Sequence, residues 1–303
     1  MKNKLKGSIA LLSATVIWGS AFVAQSVGMD YIGPFTFQTL RCLLAVLFLI
    51  PAAAVVERTS WRQYAAKWLD KKLWLAGTLC GLALFAATTL QQVGLVYTDA
   101  GKAGFLTAMY IVLVPFIGLF LKRRLPMASW LSIAVAVVGL YLLSNIGASI
   151  PNPGDMMMVG CALAFAVQIT FVDRFAAHCD ALRLNCIQSL VVTVLSAVCM
   201  FATESPEWRG IAACALPISY AGILSLGVAY SLQIIGQRHV EPTTASLFMS
   251  LESVFAALSG WLLLNEQMTP RELTGCLLIF LSVIITQIPA KKAELLPVKW
   301  TVK

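Results

Sequence analysis

The feature that most constrains this chain is a series of apolar runs, each about as long as a bilayer is thick. The hydrocarbon core takes roughly 20 residues of helix to cross. Ten such runs follow one another, separated by short polar segments: Leu5–Val27, Pro34–Val56, Leu73–Val93, Ala100–Leu121, Leu125–Ser144, Asp155–Asp173, Leu184–Thr203, Ile211–Ile235, Thr243–Leu264 and Arg271–Pro289. Only 12% of the 303 residues are charged, about half the usual share in a soluble domain. We therefore predict an integral membrane protein.

Membranes are crossed either by helices or by closed barrels. These runs are about twice the length of a barrel strand, and they do not alternate between polar and apolar residues. The sequence therefore predicts an all-α membrane protein with ten transmembrane helices, which we number spans 1 to 10 in the order above.

The basic residues predict the orientation of the spans. Of the 22 lysines and arginines, 18 fall in segments on the same side as the N-terminus, three fall on the other side (Lys102, Arg209 and Arg271), and Arg41 lies inside span 2. Cytoplasmic segments carry the excess of basic residues in membrane proteins. We predict a multi-pass protein with both termini in the cytoplasm, and this bias would be lost if one span were missing.

The two halves of the chain resemble each other. A shift of 142 positions aligns residues 89–124 with 231–266 without a gap, and it pairs Gln91 with Gln233 and Tyr110 with Glu252. A shift of 147 positions aligns the earlier spans. We predict a first five-helix repeat over 1–150 and a second over 151–303. Because five is odd, the two repeats are inverted, as in many carriers with a central site.

Three segments carry a resemblance to a known family. They are Thr15-Val-Ile-Trp-Gly-Ser in span 1, Phe37-Gln-Thr-Leu-Arg-Cys-Leu-Leu-Ala in span 2, and the segment from Leu251 to Glu266 across span 9. Over essentially its whole length the chain resembles the EamA-type permeases of the drug/metabolite transporter superfamily. It departs from them at Ser253, where the family usually has proline, and at Lys122-Arg123-Arg124, where a Gly-Glu pair is common. The resemblance implies a ten-helix carrier with a central cavity, often an exporter of amino acids or related metabolites from bacteria.

Glu252 is the most informative candidate for the site. It lies nine residues after Thr243, which places it about 13 Å into span 9 at 1.5 Å per residue. A charge at that depth costs roughly 2.5–3.5 kcal/mol on insertion scales. Glu252 can bind a proton, a substrate ammonium group, or both in exchange. The alternative is a permanent polar partner that fixes helix packing.

Arg41 is the second charge inside a span. It lies seven residues after Pro34, about 10 Å deep, from where its long side chain can still reach the interface. An arginine fork can bind a substrate carboxylate through two hydrogen bonds. Interhelical hydrogen bonding and a pair between Arg41 and Glu252 are the structural alternatives.

Five further residues complete the candidate substrate or coupling site: Trp18, Gln25, Gln91, Tyr110 and Gln233. The repeat alignment places several of them at equivalent points, so they can line a pseudo-symmetric polar cavity. Polar side chains in bilayers also serve simply as links between helices.

Other classes of function lack their motifs in this sequence. The eight cysteines form no Cys-x-x-Cys pair, neither histidine has a ligand set around it, and no phosphate-binding loop is present. The basic residues form no continuous stripe of the kind that nucleic acid requires. We expect no metal, no cofactor, no nucleic acid and no enzymatic activity.

We predict a secondary transporter, and specifically an exporter, of amino acids or similar small organic metabolites. It would work by alternating access in a bacterial inner membrane, with the lipid bilayer and a small-molecule substrate as partners and a proton as the coupling ion. A cationic drug or vitamin permease is the alternative within transport. A structural or lipid-interacting membrane protein is the alternative outside it.

Overall fold

The computed structural model describes residues 2–57, 61–98, 100–123, 125–144, 152–263 and 267–287. Arg124, the Asn265-Glu266 end of the span 9 motif and the C-terminal lysines assigned above to the cytoplasm lie outside these ranges. Within them, every regular element is a helix.

Ten apolar helices follow one another along the chain. In order they are Lys2–Met29, Pro34–Glu57, Lys71–Gly94, Ala100–Ala108 with Tyr110–Phe120, Met127–Leu143, Pro153–Ala176, Ala181–Thr203, Ala215–Ser219 continuing through Tyr220–Ala229 and Tyr230–Gln237, Pro242–Met249 with Leu251–Leu263, and Pro270–Gln287. Among the residues described, nine are long and apolar enough to cross a membrane, and span 5 is a shorter apolar helix of 17 residues. The predicted ten-span, all-α membrane fold is confirmed.

The packing of the spans follows the repeat. Span 2 packs along span 7, and span 5 packs along span 10, so each of these pairs joins a helix to its own equivalent. Spans 3 and 4 of the first repeat both pack on span 6 of the second. Their equivalents in the second repeat, spans 8 and 9, both pack on span 1 of the first. This exchange of partners is what a pseudo-twofold axis between two inverted five-helix repeats requires. The predicted repeat boundary at 150 and 151 falls in residues 145–151, outside the described ranges.

Two polar contacts, which we call clasps, join spans 2 and 7 at their opposite ends. In the first clasp, Arg183 donates to both carboxylate oxygens of Glu57, at 2.5 and 2.6 Å. In the second clasp, the Glu204 carboxylate accepts from the backbone N–H groups of Phe35 and Thr36, both at 2.8 Å, and from the Thr36 hydroxyl at 2.6 Å. Glu57 and Glu204 are 147 positions apart, as are Thr36 and Arg183. The same point of each repeat therefore carries a clasp.

Glycines allow spans 3 and 7 to approach closely, as the Gly77-x-x-x-Gly81 spacing indicates. A Cβ atom at Gly77 would lie 2.5 Å from the Ile187 side chain, and one at Gly81 would lie 2.7 Å from the Val191 Cβ. Such distances leave no room for even a methyl group. The two glycines form a packing surface, consistent with the rule that small residues let membrane helices pack backbone to backbone.

Spans 4 and 9 are each divided by a single residue, although each still forms a helical run long enough to cross a membrane. Span 4 is interrupted at Met109 and span 9 at Ser250, which differ by one position in the repeat alignment. At the second break the Ser250 hydroxyl bonds to the Leu247 carbonyl at 2.8 Å, and at the first the Val112 N–H bonds to the Met109 carbonyl at 2.9 Å. These contacts, three residues apart, occur beside regular helical bonds from the Leu113 N–H to the Met109 carbonyl and from the Ser250 N–H to the Ser246 carbonyl. Each break is therefore a local tightening of the helix.

Span 8 also departs from its prediction. The predicted start at Ile211 is wrong, because Trp208–Ala213 forms a short helix of its own and the span begins at Ala215. Pro217 has no N–H to donate to the Ala213 carbonyl, which explains the separation. Further along, Tyr220–Ala229 is a π-helix. The Asn185 side chain of span 7 donates to its Leu226 and Gly227 carbonyls, at 2.8 and 3.1 Å.

Candidate functional site

A small cavity lies among spans 1, 2, 3, 4, 6, 8 and 9. Its volume is about 60 Å³, and all seven candidate residues contribute to its lining: Trp18, Gln25, Arg41, Gln91, Tyr110, Gln233 and Glu252. The seven residues predicted from the sequence therefore lie together in the structure. Whether they bind substrate stays a prediction.

Arg41 is buried, with 3% of its surface exposed. One guanidinium nitrogen donates to the Gln25 amide oxygen at 2.5 Å, and that oxygen also accepts from the Gln92 amide at 3.2 Å. The Arg41 Nε atom is buried without a hydrogen-bond partner in the structure. The guanidinium also lies over the Phe37 ring, 5.6 Å from its centroid. Span 2 thus holds a cation whose described contacts are all neutral.

Glu252 lies two residues after the break in span 9, within the first turn of Leu251–Leu263. Its carboxylate accepts a hydrogen bond from the Tyr110 hydroxyl at 3.1 Å. Tyr110 is itself the first residue of the helix after the break in span 4. The two interrupted spans therefore deliver their equivalent residues, Tyr110 and Glu252, into contact across the cavity.

The two charges are not paired with each other. The ion pairs found among the described residues include neither Arg41 nor Glu252, so the structural alternative of a direct pair is absent from this conformation. Burying an ion without an opposite charge is costly. A cation and an anion that both line one cavity can instead be compensated by a ligand carrying both charges.

A chain of amides forms the wall supplied by the second repeat. The Gln233 amide donates to Gln168 at 3.2 Å and to Gln237 at 3.0 Å, and Gln168 donates to Gln188 at 3.4 Å. Gln188 then donates to Asn185 at 2.8 Å. Gln188 is the repeat equivalent of Arg41, so the second half holds a neutral network where the first half holds a charge.

Aromatic rings form the remaining walls. Trp18 meets Tyr230 edge to face at 4.9 Å between ring centroids, and Tyr110 meets Phe165 at 6.3 Å. The indole Nε1 of Trp18 is buried without a hydrogen-bond partner in the structure. A donor left in this way beside a cavity is available to a ligand.

Sequence reasoning missed nine of the lining residues: Phe22, Thr88, Phe165, Gln168, Ile169, Ser225, Leu226, Tyr230 and Met249. The repeat alignment relates several of them to one another. A shift of 142 pairs Thr88 with Tyr230, and a shift of 147 pairs Phe22 with Ile169. Applying the repeat to the candidates would have found Phe165, the equivalent of Trp18 at a shift of 147. In the other two pairs neither member was a candidate, so the repeat alone would not have found them.

The cavity is too small for an organic solute as it stands. Its volume of about 60 Å³ is less than half of the roughly 150 Å³ that admits benzene in an engineered cavity. The surrounding spans must therefore separate before a metabolite can enter. The interruptions in spans 4 and 9 lie at the cavity wall, where a helix can change direction.

Ten spans in two inverted repeats around a polar, charged central cavity define a membrane transporter by architecture. The EamA-like transporter family matches the chain twice, over residues 5–145 and 152–288. The chain belongs to this family, as the three motif segments indicated.

The relatives extend along nearly the whole chain. An uncharacterized transporter of Archaeoglobus fulgidus is 33% identical over 288 residues, covering 94% of this chain and 87% of the relative. The threonine/homoserine exporter RhtA of Escherichia coli is 28% identical over 275 residues, covering 88% of this chain and 85% of RhtA. A solved crystal structure matches with a TM-score of 0.79 and 18% identity, covering 93% of this chain and 96% of that chain, which supports the fold.

Proposed function

We propose that this protein is a secondary carrier of amino acids, and that the central cavity binds the zwitterionic backbone of its substrate. Arg41 would receive the carboxylate and Glu252 the ammonium group. One observation carries the proposal, namely that a buried arginine and a glutamate line the same cavity without pairing with each other.

The chemistry of a zwitterion matches this arrangement in both signs. A guanidinium binds a carboxylate through charge-assisted hydrogen bonds, and a carboxylate can accept from an ammonium group. Binding also removes the cost of two uncompensated charges in a poorly hydrated site. A purely cationic drug or vitamin would satisfy Glu252 but would be repelled by Arg41. A fixed structural role would rest on the contacts of Arg41 with Gln25 and of Glu252 with Tyr110, and neither contact supplies an opposite charge.

The relatives favour amino-acid export. RhtA carries the name of a threonine/homoserine exporter and aligns over most of both chains. We therefore take export from a bacterial cytoplasm across the inner membrane, with both termini inside, as part of the proposal. The cavity must widen to accept the substrate, so access would alternate as the two repeats move relative to each other.

Glu252 also offers a way to couple transport to a proton gradient. When the substrate ammonium group leaves, a proton can replace it on the carboxylate. The cavity would then open to one side of the membrane with substrate bound and to the other side with a proton bound. Such an exchange needs no ATP. The Glu252→Gln protein, with a neutral amide at this point, should carry substrate without any response to a pH gradient.

The experiment measures uptake into proteoliposomes of three matched solutes: L-threonine, its amide, which lacks the carboxylate, and its 2-hydroxy acid, which lacks the ammonium group. The unsubstituted protein should prefer threonine over both analogues by about tenfold or more, because a charge-assisted hydrogen bond contributes about 1.5–3 kcal/mol. Arg41→Gln should lose the preference over the amide. Glu252→Gln should lose the preference over the hydroxy acid.

Two control variants remove the same charges elsewhere. Arg62→Gln and Glu241→Gln alter exposed side chains that do not line the cavity, and both should keep the full preference for threonine. If the unsubstituted protein takes up the amide as well as it takes up threonine, Arg41 has no role in binding. If it takes up only organic cations from a broader panel, the drug or vitamin permease replaces the amino-acid carrier.

A further inference from the structure

A second, larger cavity opens beside spans 2, 3 and 7, away from the central site. We call it the interfacial groove. Its volume is about 390 Å³, which lies within the range of roughly 300–1,000 Å³ typical of ligand pockets. Its walls include Val46, Ile50, Ala65, Trp68, Trp74 and Leu190. Among the residues that the structure describes, none of those lining the groove is charged.

The short helix Trp61–Trp68 forms one side of the interfacial groove and is amphipathic. Tyr64, Ala65 and Trp68 face the groove, while the side chains of Arg62 and Lys67 are exposed. A helix with aromatic residues on one face and basic residues on the other is typical of the membrane interface. Trp74, at the start of span 3, adds a further aromatic ring to the groove and donates from its indole to the Trp68 carbonyl at 2.7 Å.

From this interface the groove extends into the region of the hydrocarbon core. Val46 lies eleven residues before Glu57, which terminates span 2, so the deep end of the groove is about 16 Å from the helix end at 1.5 Å per residue. Leu190 lies at a corresponding depth on span 7, seven residues beyond Arg183, about 10 Å. The groove therefore reaches from aromatic rings, which prefer the interface, to apolar side chains about 16 Å along span 2.

Exposed basic residues lie close in sequence to the two tryptophans of the groove. Lys71 and Lys72 precede Trp74 in the first turn of span 3, and both are exposed. Asp70, the neighbouring acid, accepts a hydrogen bond from the backbone N–H of Lys72 at 2.9 Å. Lys67 is paired with Glu57 at 3.1 Å. Lys71 and Lys72 therefore leave a net positive charge beside Trp74 even with Asp70 counted.

We propose that the interfacial groove binds one acyl chain of an anionic phospholipid, whose headgroup lies against Lys71 and Lys72. The apolar lining fits the acyl chain, and the positive charge beside Trp74 fits the headgroup. The site does not depend on the amino-acid proposal, because it shares no lining residue with the central cavity.

Such a lipid would also protect the first clasp. The guanidinium of Arg183 lies 5.2 Å from the Tyr64 ring centroid and 5.5 Å from that of Trp68. The same two aromatic side chains line the groove. A bound acyl chain would hold these rings over the ion pair between Arg183 and Glu57 and would keep water from it.

Native mass spectrometry of the delipidated full-length protein in detergent tests the proposal, with phosphatidylglycerol and phosphatidylcholine of identical acyl chains as probes. One phosphatidylglycerol should be retained in preference to phosphatidylcholine. The double variant Lys71→Gln/Lys72→Gln should weaken phosphatidylglycerol binding by about 30-fold, from the usual contribution of a lysine near an anionic lipid, with no change for phosphatidylcholine. Ala65→Trp, which fills the groove, should abolish retention of both lipids.

Matched controls separate the groove from general effects of charge and folding. Lys4→Gln/Lys6→Gln removes two exposed lysines near the N-terminus, and Ala65→Ser leaves the groove open, so both should bind as the unsubstituted protein does. Equal retention of the two lipids by the unsubstituted protein would overturn the headgroup assignment. Unchanged retention in Ala65→Trp would overturn the groove as the site.

Discussion

The first clasp provides a stability measurement whose size follows from its geometry. The Arg183 side chain is 1% exposed, and its fork meets a Glu57 side chain that is 14% exposed. Removing one partner of a buried pair costs about 3–5 kcal/mol, because the other charge stays buried and unpaired. Since Glu57 retains some contact with water, we expect Glu57→Ala to cost about 3 kcal/mol, near the lower end of that range.

The change should appear in a thermal melt of the purified protein in detergent. For a chain of this length, about 3 kcal/mol corresponds to a fall in Tm of roughly 6 °C. Arg183→Met should cost less, because the remaining Glu57 still has Lys67 at 3.1 Å. The double variant Glu57→Ala/Arg183→Met should be more stable than Glu57→Ala alone, since the orphaned charge has been removed.

The second clasp serves as an internal comparison. Glu204 bonds to neutral groups, two backbone N–H groups and one hydroxyl. Its loss resembles the loss of a helix cap, which costs about 0.5–2 kcal/mol. Glu204→Ala should therefore lower Tm by less than Glu57→Ala does. A double variant of the first clasp that melts at or below Glu57→Ala would refute the reasoning, because it would show that no unpaired charge had been left behind.

Two further predictions concern packing and orientation. Gly81→Ala should lower Tm, because its Cβ would lie 2.7 Å from the Val191 Cβ and overpacking costs about 1–3 kcal/mol. The control variant Gly104→Ala, with no atom within 4 Å of its Cβ, should leave Tm unchanged or raise it. Equal Tm values for the two variants would contradict the close approach of spans 3 and 7. Arg209 is predicted to lie outside the cell and Arg62 inside it. In intact cells, Arg209→Cys should therefore react with a membrane-impermeant maleimide, and Arg62→Cys should react only after lysis, with the unsubstituted protein as control. The opposite pattern would reverse the predicted orientation.

Hydrophobicity and charge were enough to predict most of the fold. Span 2 was predicted over Pro34–Val56 and is found over Pro34–Glu57, because a run of apolar residues in lipid must satisfy its backbone internally and becomes a helix. The same rule explains the site prediction. A charge such as Arg41 or Glu252 is tolerated inside a span only where it faces the bundle interior, so both residues belong to the central cavity.

The breaks and the clasps could not be predicted in the same way. The interruptions at Met109 and Ser250 occur inside apolar runs without a glycine or proline at the break, and hydropathy does not distinguish them from a regular helix. The π-helix over Tyr220–Ala229 is contacted by an Asn185 side chain from another span, and the local sequence does not encode that contact. The clasp residues lie at the ends of apolar runs, where a charged residue is normally interpreted as exposed to solvent. Their partners are distant in the sequence and are found only in the folded structure.

The central cavity joins two halves of common architecture that carry different groups. Arg41 of the first repeat corresponds to Gln188 of the second, and Glu252 of the second corresponds to Tyr110 of the first. If either half paired with a copy of itself, the resulting cavity would hold two like charges related by symmetry and no opposite one. Such a cavity could not distinguish one end of a solute from the other. Joining two diverged halves in one chain gives the cavity a polarity, so a dipolar molecule has one preferred direction inside it.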